Sequence, residues 1–238
     1  MVNVDTLIKG IEELGLKLNE SNLNAFIRYK ELLKEWNEKI NITSITDDVE
    51  IDLKHFLDSL TPFTTSLFNG NKKIIDIGTG GGFPGIPLKI LNRELDIVLL
   101  DSLNKRIGFL NEVIETLGLN NIIAMHGRAE ELSIKPLYRE QFDICISRAV
   151  ASLNTLSEYC IPFVKVGGHF ISMKGPDVME ELRESKNAIK LLGGEIVDTK
   201  LINLPQSDIV HSLIIIEKIK ETPTKYPRGG GKPKKNPL

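Results

Sequence analysis

The stretch that most constrains this chain is IIDIGTGGGFPG, residues 74–85. A short apolar run ends at Asp76, and glycine then takes four of the five positions from Gly78 to Gly82. Glycine tolerates positive φ and lets backbone approach a ligand with no Cβ in between. The run before it reads as a strand, and FPGIPLKIL after it as the start of a helix. Open α/β sheets bind their ligands at such turns, outside the carboxyl ends of the strands.

The flanking pattern supports that placement. From residue 72, short apolar runs (KKIIDIG, LDIVLLD, NIIAMHG, FDICISR, GGHFISMKG) alternate with amphipathic stretches such as NKRIGFLNEVIETLGL and MEELRESKNAIKLLG. Alternation of this kind implies right-handed βαβ units and a parallel sheet covered on both faces. GEIVDTKLINL and DIVHSLIIIEKI follow each other with only a loop between, as a closing antiparallel pair. The first sixty-odd residues read as helical. Leu23, Phe26, Ile27, Leu32, Leu33, Trp36 and Ile40 fall on one helical face, with Ser21 or Asn22 as the expected cap. DVEIDLKHFLDSL reads as a further helix. The division expected is a helical extension at 1–65, an α/β domain at 66–220 and a basic tail at 221–238.

Composition narrows the function classes. With 41% apolar and 26% charged residues the chain is ordinary for a soluble globular protein. No apolar run approaches the roughly 18 residues of a membrane span. The N-terminus has no basic n-region of a signal peptide. Cys145 and Cys160 have no metal or redox spacing and read as reduced, buried thiols. These features together imply a cytoplasmic protein that uses neither membrane nor metal. The net charge of -2 hides a tail, TPTKYPRGGGKPKKNPL, in which Lys225, Arg228, Lys232, Lys234 and Lys235 meet no acid. Its prolines and glycines argue against packed structure. Either a solubility device or a phosphate-binding arm fits it.

A dinucleotide is the first candidate ligand for the loop, through G-x-G-x-x-G. Gly78 and Gly80 fit, but Phe83 stands at the third glycine position, which counts against a nicotinamide oxidoreductase. Asp101, ending the second strand, suits the ribose of any adenosine ligand. The frame Asp76-Ile-Gly78-Thr-Gly80-Gly-Gly82 resembles the opening motif of class I S-adenosylmethionine-dependent methyltransferases. Further stretches, EWNEKINITSIT, HFLDSL, DIGTGGGFPGIPLKI, LDSLNKRIGFL, GRAEEL, ISRAVASL and KYPRGGGKPKKNPL, resemble in order the glucose-inhibited division protein B family. Members of that family methylate ring nitrogen 7 of a guanine in bacterial 16S ribosomal RNA.

The resemblance implies a Rossmann-like, mostly parallel seven-stranded sheet with an antiparallel last strand and an N-terminal helical extension. It implies S-adenosyl-L-methionine as cofactor and 16S ribosomal RNA or the small-subunit particle as partner, for a monomer. Gly78, Phe83, Ala129, Glu130 and Arg148 match positions that bind the cofactor, and Gly80 and Asp101 belong to the same loop and strand end. Lys174 resembles a family lysine tied to activity, and with Arg148 it is expected to position the guanine. Lys105, Arg106 and Arg128, near the same strand ends, join the tail residues as candidates for the RNA backbone. The fourth strand ends in ISRAVAS, without the N-P-P-[FY]-like turn of enzymes acting on exocyclic amines, and neither cysteine has a nucleophile's context. A ring nitrogen with its own lone pair needs neither device and no base. His55 and His126 read as structural. A small-molecule methyltransferase and a catalytically inactive RNA-binding relative stay open.

Overall fold

In the computed structural model, residues 4–148 and 151–238 are described; Ala149 and Val150, inside the ISRAVASL motif, lie outside the described residues. The strands are β1 (Lys73–Ile77), β2 (Asp96–Asp101), β3 (Ile122–His126), β4 (Phe142–Arg148), β5 (Val164–Lys174), β6 (Gly194–Asn203) and β7 (Val210–Lys218). They form one sheet in the order β3-β2-β1-β4-β5-β7-β6. Neighbours from β3 to β5 pair in parallel, and β7 runs antiparallel to both β5 and β6. The expected closing pair is present, and its last strand is inserted inside the sheet. Strand order reverses at β1, where the chain leaves toward β2 on one side and later returns as β4 on the other. That switch point opens a crevice directly above the glycine loop.

Period-two alternation gives the sheet two buried faces. Ile74, Ile97, Leu99, Ile144, Ile146 and Ile171 enter one core, and Ile75, Ile77, Val98, Leu100, Cys145 and Phe170 the other. Helices α1 (Asp5–Glu13) and α2 (Glu20–Ile40) cover the first face. Phe26, Tyr29, Leu32 and Leu33 of α2 are buried in the same cluster as Ile74 and Leu99, so the N-terminal helices and the sheet share a core. The cap of α2 is Asn19, whose side chain accepts from the Asn22 N–H at 2.8 Å; Ser21 and Asn22 lie within the first turn. Asn19 is the residue with extended backbone, which aims its carbonyl back at the open N–H groups.

The helix expected over DVEIDLKHFLDSL has three parts: α3 (Asp48–Ile51), a π-helical turn (Asp52–Leu57) and α4 (Asp58–Leu60). The remaining helices are α5 (Gly85–Leu91), α6 (Asn104–Thr116), α7 (Ala129–Leu132), α8 (Leu153–Cys160), α9 (Met179–Leu191) and the short α10 (Lys232–Lys235).

The basic tail is packed, contrary to the expectation from its prolines and glycines. Tyr226 is buried in the second core. Arg139 donates to the carbonyls of Thr222 at 2.7 Å and Tyr226 at 3.0 Å. Arg228 pairs with Glu158 of α8 at 2.6 Å, and its own N–H donates to the same carboxylate at 2.7 Å. The fixing partners are scattered through 139–218, so local composition could not reveal them.

Candidate active site

The carboxyl ends of β1, β2 and β4 surround a cavity of about 350 Å³. Its lining includes Gly78, Gly80, Gly81, Phe83, Asp101 and Arg148, with Ile42, Thr43 and His55 contributed by the N-terminal segment. The loop is tied down from below. Gly78 and Thr79 N–H groups donate to the Leu100 carbonyl at 2.8 and 3.2 Å. Asp76, fully buried under the loop, accepts from Thr79 Oγ1 at 2.7 Å and from the Gly85 N–H at 2.9 Å. Burial pushes its carboxyl up to about 6, although the Thr79 and Gly85 bonds oppose the shift.

The glycines serve two purposes. Gly80 has φ 61, and a Cβ there would meet no heavy atom closer than 4.0 Å, so it would project into open space. Gly82 has φ 95, and a Cβ there would sit 2.5 Å from Ile86 and 2.6 Å from the Tyr29 hydroxyl. One glycine clears the cavity and the other lets α2 press against the loop. The Tyr29 hydroxyl donates to the Gly81 carbonyl.

Phe83 is the hinge of this contact. Its ring stacks on Tyr29 at 5.5 Å and on His55 at 4.4 Å, with the Arg148 guanidinium 5.1 Å from its centroid. Aromatic pairs of this kind contribute roughly 0.5–1.5 kcal/mol beyond their burial. The residue that breaks the dinucleotide fingerprint therefore walls the cavity and anchors the helical segment to the loop.

Asp101 is 2% exposed and accepts from Gly80 N at 2.9 Å, Leu103 N at 2.8 Å and Arg106 at 3.0 Å. Arg106, expected on RNA, is thus held at the cavity rim. Ala129 and Glu130 are buried beside the β3 end but are not among the residues lining this cavity. The Gly127 N–H, donating to the Asp101 carbonyl at 3.1 Å, keeps that loop against the Asp101 strand end. Arg128 is exposed there, while Lys105 donates to the Ile40 carbonyl at 2.8 Å, tying α6 to the end of α2. His126 approaches the carbonyl of Ser102, a lining residue, at 3.2 Å, but does not itself line the cavity.

A second cavity, of about 290 Å³, adjoins the first and is lined by Lys54, His55, Asp58, Arg148, Met173, Lys174, Gly175 and His211. His55 and Arg148 line both and form the partition. Arg148 donates to the Lys54 carbonyl at 2.9 Å, to Asp58 Oδ2 at 2.8 Å and to His55 Nδ1 at 3.3 Å. Arginine has no acceptor, so His55 Nδ1 is the unprotonated nitrogen and Nε2–H donates to Thr43 Oγ1 at 2.8 Å. Burial and the Arg148 charge push this imidazole down to about 4. Lys174 donates to the Ala151 carbonyl and pairs with Glu181 at 3.1 Å.

Sequence reasoning missed Asp58 and His211. His211 Nδ1 lies 2.5 Å from Asp58 Oδ1. Burial raises the Asp58 carboxyl, but the His211 and Arg148 contacts outweigh it and hold the group below its ordinary value. A hydrogen bond from a residue 153 positions away leaves no trace in spacing. HFLDSL contained Asp58, which opens α4 directly after the π-turn and reaches Arg148 on β4, 90 positions away.

The first cavity fits S-adenosylmethionine on the chain's own chemistry. Space over Gly80 would be lost to a Cβ, an acid stands at the β2 end, an aromatic wall faces it, and its volume is within the roughly 300–1,000 Å³ of small-molecule pockets. The family model for rRNA small subunit methyltransferase G matches residues 22–210. A protein of Acetivibrio thermocellus named Ribosomal RNA small subunit methyltransferase G is 54% identical over 232 residues, covering 98% of this chain and 95% of its own. One of the same name from Alkaliphilus metalliredigens is 53% identical over 229 residues, 96% of each chain. The structure of M. jannaschii TYW2 in complex with AdoMet superposes with a TM-score of 0.53 at 17% identity, over 68% of this chain and 77% of that one. TrmN from Thermus thermophilus gives 0.51 at 16% identity, over 71% and 53%. These two likenesses are of fold. The chain belongs to the rRNA small subunit methyltransferase G family, on the class I S-adenosylmethionine-dependent methyltransferase fold.

Proposed function

We propose that this chain methylates ring nitrogen 7 of a guanine in 16S ribosomal RNA, in the cytoplasm, on the free RNA or the small-subunit particle. The observation that carries the reading is the partition between the two cavities. Both nitrogens of His55 are engaged, and Asp58 is bound by Arg148 and His211. Neither group is free to take a proton, and nitrogen 7 has none to give.

Gly78, Gly80, Phe83 and Asp101 hold S-adenosylmethionine, with Ala129 and Glu130 toward its adenine. When bound it supplies a methyl on a sulfonium. Arg148 borders this cavity and the second one, where Lys174 orients the acceptor base. Catalysis by such a site is alignment of nucleophile and methyl. Guanine presents its carbonyl oxygen beside nitrogen 7, and arginine is matched to that edge. Arg128, Lys105, Lys225, Lys232, Lys234 and Lys235 contact phosphates outside.

Incubation with labelled S-adenosylmethionine and unmodified small-subunit RNA or particles tests this directly. The label should map to one guanine, where borohydride and aniline treatment then cleaves the strand. Label on an exocyclic amine, or on no RNA, would contradict the proposal.

A further inference from the structure

His211 is a titratable group of the second cavity that the reaction as described does not use. It stands on β7, next to Ser212, which pairs in register with Lys174 on β5. Its side chain is 29% exposed, and its ring is fixed by Nδ1 against Asp58 at 2.5 Å. Nε2 makes no hydrogen bond among the described residues, and the ring lines the cavity. Asp58 approaches it from α4 and Arg148 from β4, while Lys54 and His55 face the same space from the π-turn. Lys174 faces it from β5 with Glu181 of α9 behind, and Lys54 has Glu50 at 2.5 Å. Asp58 is the one acid among the lining residues, and Glu50 and Glu181 balance the two lysines from behind the wall.

Resting on the function proposed above, we propose that His211 is an RNA-binding residue: Asp58 holds its Nδ1–H, and its Nε2–H donates to an acceptor oxygen of the target nucleotide. The same Asp58 carboxylate holds Arg148 at 2.8 Å through its other oxygen. One acid thereby orients two donors toward one base or phosphate. The Asp58 hydrogen bond raises the His211 imidazole above its ordinary value, against the opposing effect of burial. With a raised value the imidazolium is present below the usual histidine range of about 6.5 and persists above it, and it is lost as pH rises through the shifted value. Binding of the target nucleotide should weaken in that upper window. The alignment step should not.

Steady-state and single-turnover methylation of unmodified small-subunit RNA, between pH 6 and 8.5, separate the two. The KM for RNA should rise several-fold toward the alkaline end, while the single-turnover rate at saturating RNA changes less than twofold. His211→Gln should raise KM several-fold at pH 6 and remove its pH dependence. Asp58→Asn should move the rise in KM to lower pH. A KM that is flat with pH in the wild type, or equally pH-dependent in His211→Gln, overturns the assignment. So does a saturating rate that climbs with pH in the wild type and not in His211→Gln, which would make the neutral ring a base. Absence of methylated RNA at pH 6 would overturn the proposed function itself, and this assignment with it.

Discussion

At Gly80 and Gly82 one residue type meets two unlike demands, and substitution should separate them. Gly80→Ala places a Cβ in the cavity with no clash inside the protein. It should cost about 1–2 kcal/mol of stability through its left-handed backbone and weaken S-adenosylmethionine binding at least tenfold. Gly82→Ala drives a Cβ into Ile86 and Tyr29, and overpacking of that sort costs typically 1–3 kcal/mol beyond the backbone strain. Its melting temperature should fall further than that of Gly80→Ala, and its cofactor affinity less. Calorimetry and thermal melts on both variants check the split, and equal effects would contradict it. The sequence reading assigned the loop glycines to the ligand as a group. Their division depends on what lies opposite each, Tyr29 in one case and open cavity in the other, and no spacing encodes that.

Two elements departed from their local pattern. The helix at 48–60 contains a π-turn that carries His55 and runs directly into Asp58, both at the partition; such turns are frequent at functional sites. Apolar periodicity over so short a segment cannot distinguish it from an ordinary helix. The C-terminal segment is rich in glycine and proline yet held by Arg139, Lys218 and Glu158. Glu158 has no exposed side-chain surface, so Arg228→Ala removes its counter-charge and leaves only the backbone N–H of residue 228 on the buried carboxylate; breaking a buried pair costs up to about 3–5 kcal/mol. Arg228→Ala should therefore lower the melting temperature, and it is not a clean probe of RNA contact. The exposed Lys232, Lys234 and Lys235 are. Replacing all three by alanine should leave the melting temperature nearly unchanged and reduce the salt slope of RNA binding by about 2, from roughly 0.7 per phosphate contact on a single strand. An unchanged slope would remove the tail from the RNA interface.

Over the whole molecule, alternation of apolar runs from residue 72 was enough to read the parallel sheet, the reversed closing pair and the place of the glycine loop. Gly78, Gly80 and Asp101 were singled out by their places in the loop and at a strand end, Phe83 and Arg148 by the family resemblance, and the structure brings all five around one cavity. What stayed hidden were contacts made over long distances in the chain: Tyr29 on Gly81, Ile42 and Thr43 in the cavity wall, and His211 on Asp58. These contacts join the N-terminal helices, the loop and β7 into one body around Arg148. The central claim is that this body aligns a nucleophile and takes no proton from it. The single-turnover rate of methyl transfer, at saturating RNA and cofactor between pH 6 and 8, tests it most directly. The account predicts a flat profile, because the lone pair of nitrogen 7 is free throughout. A rate that rises tenfold per pH unit and levels near 7 would report an essential base, and would contradict the account.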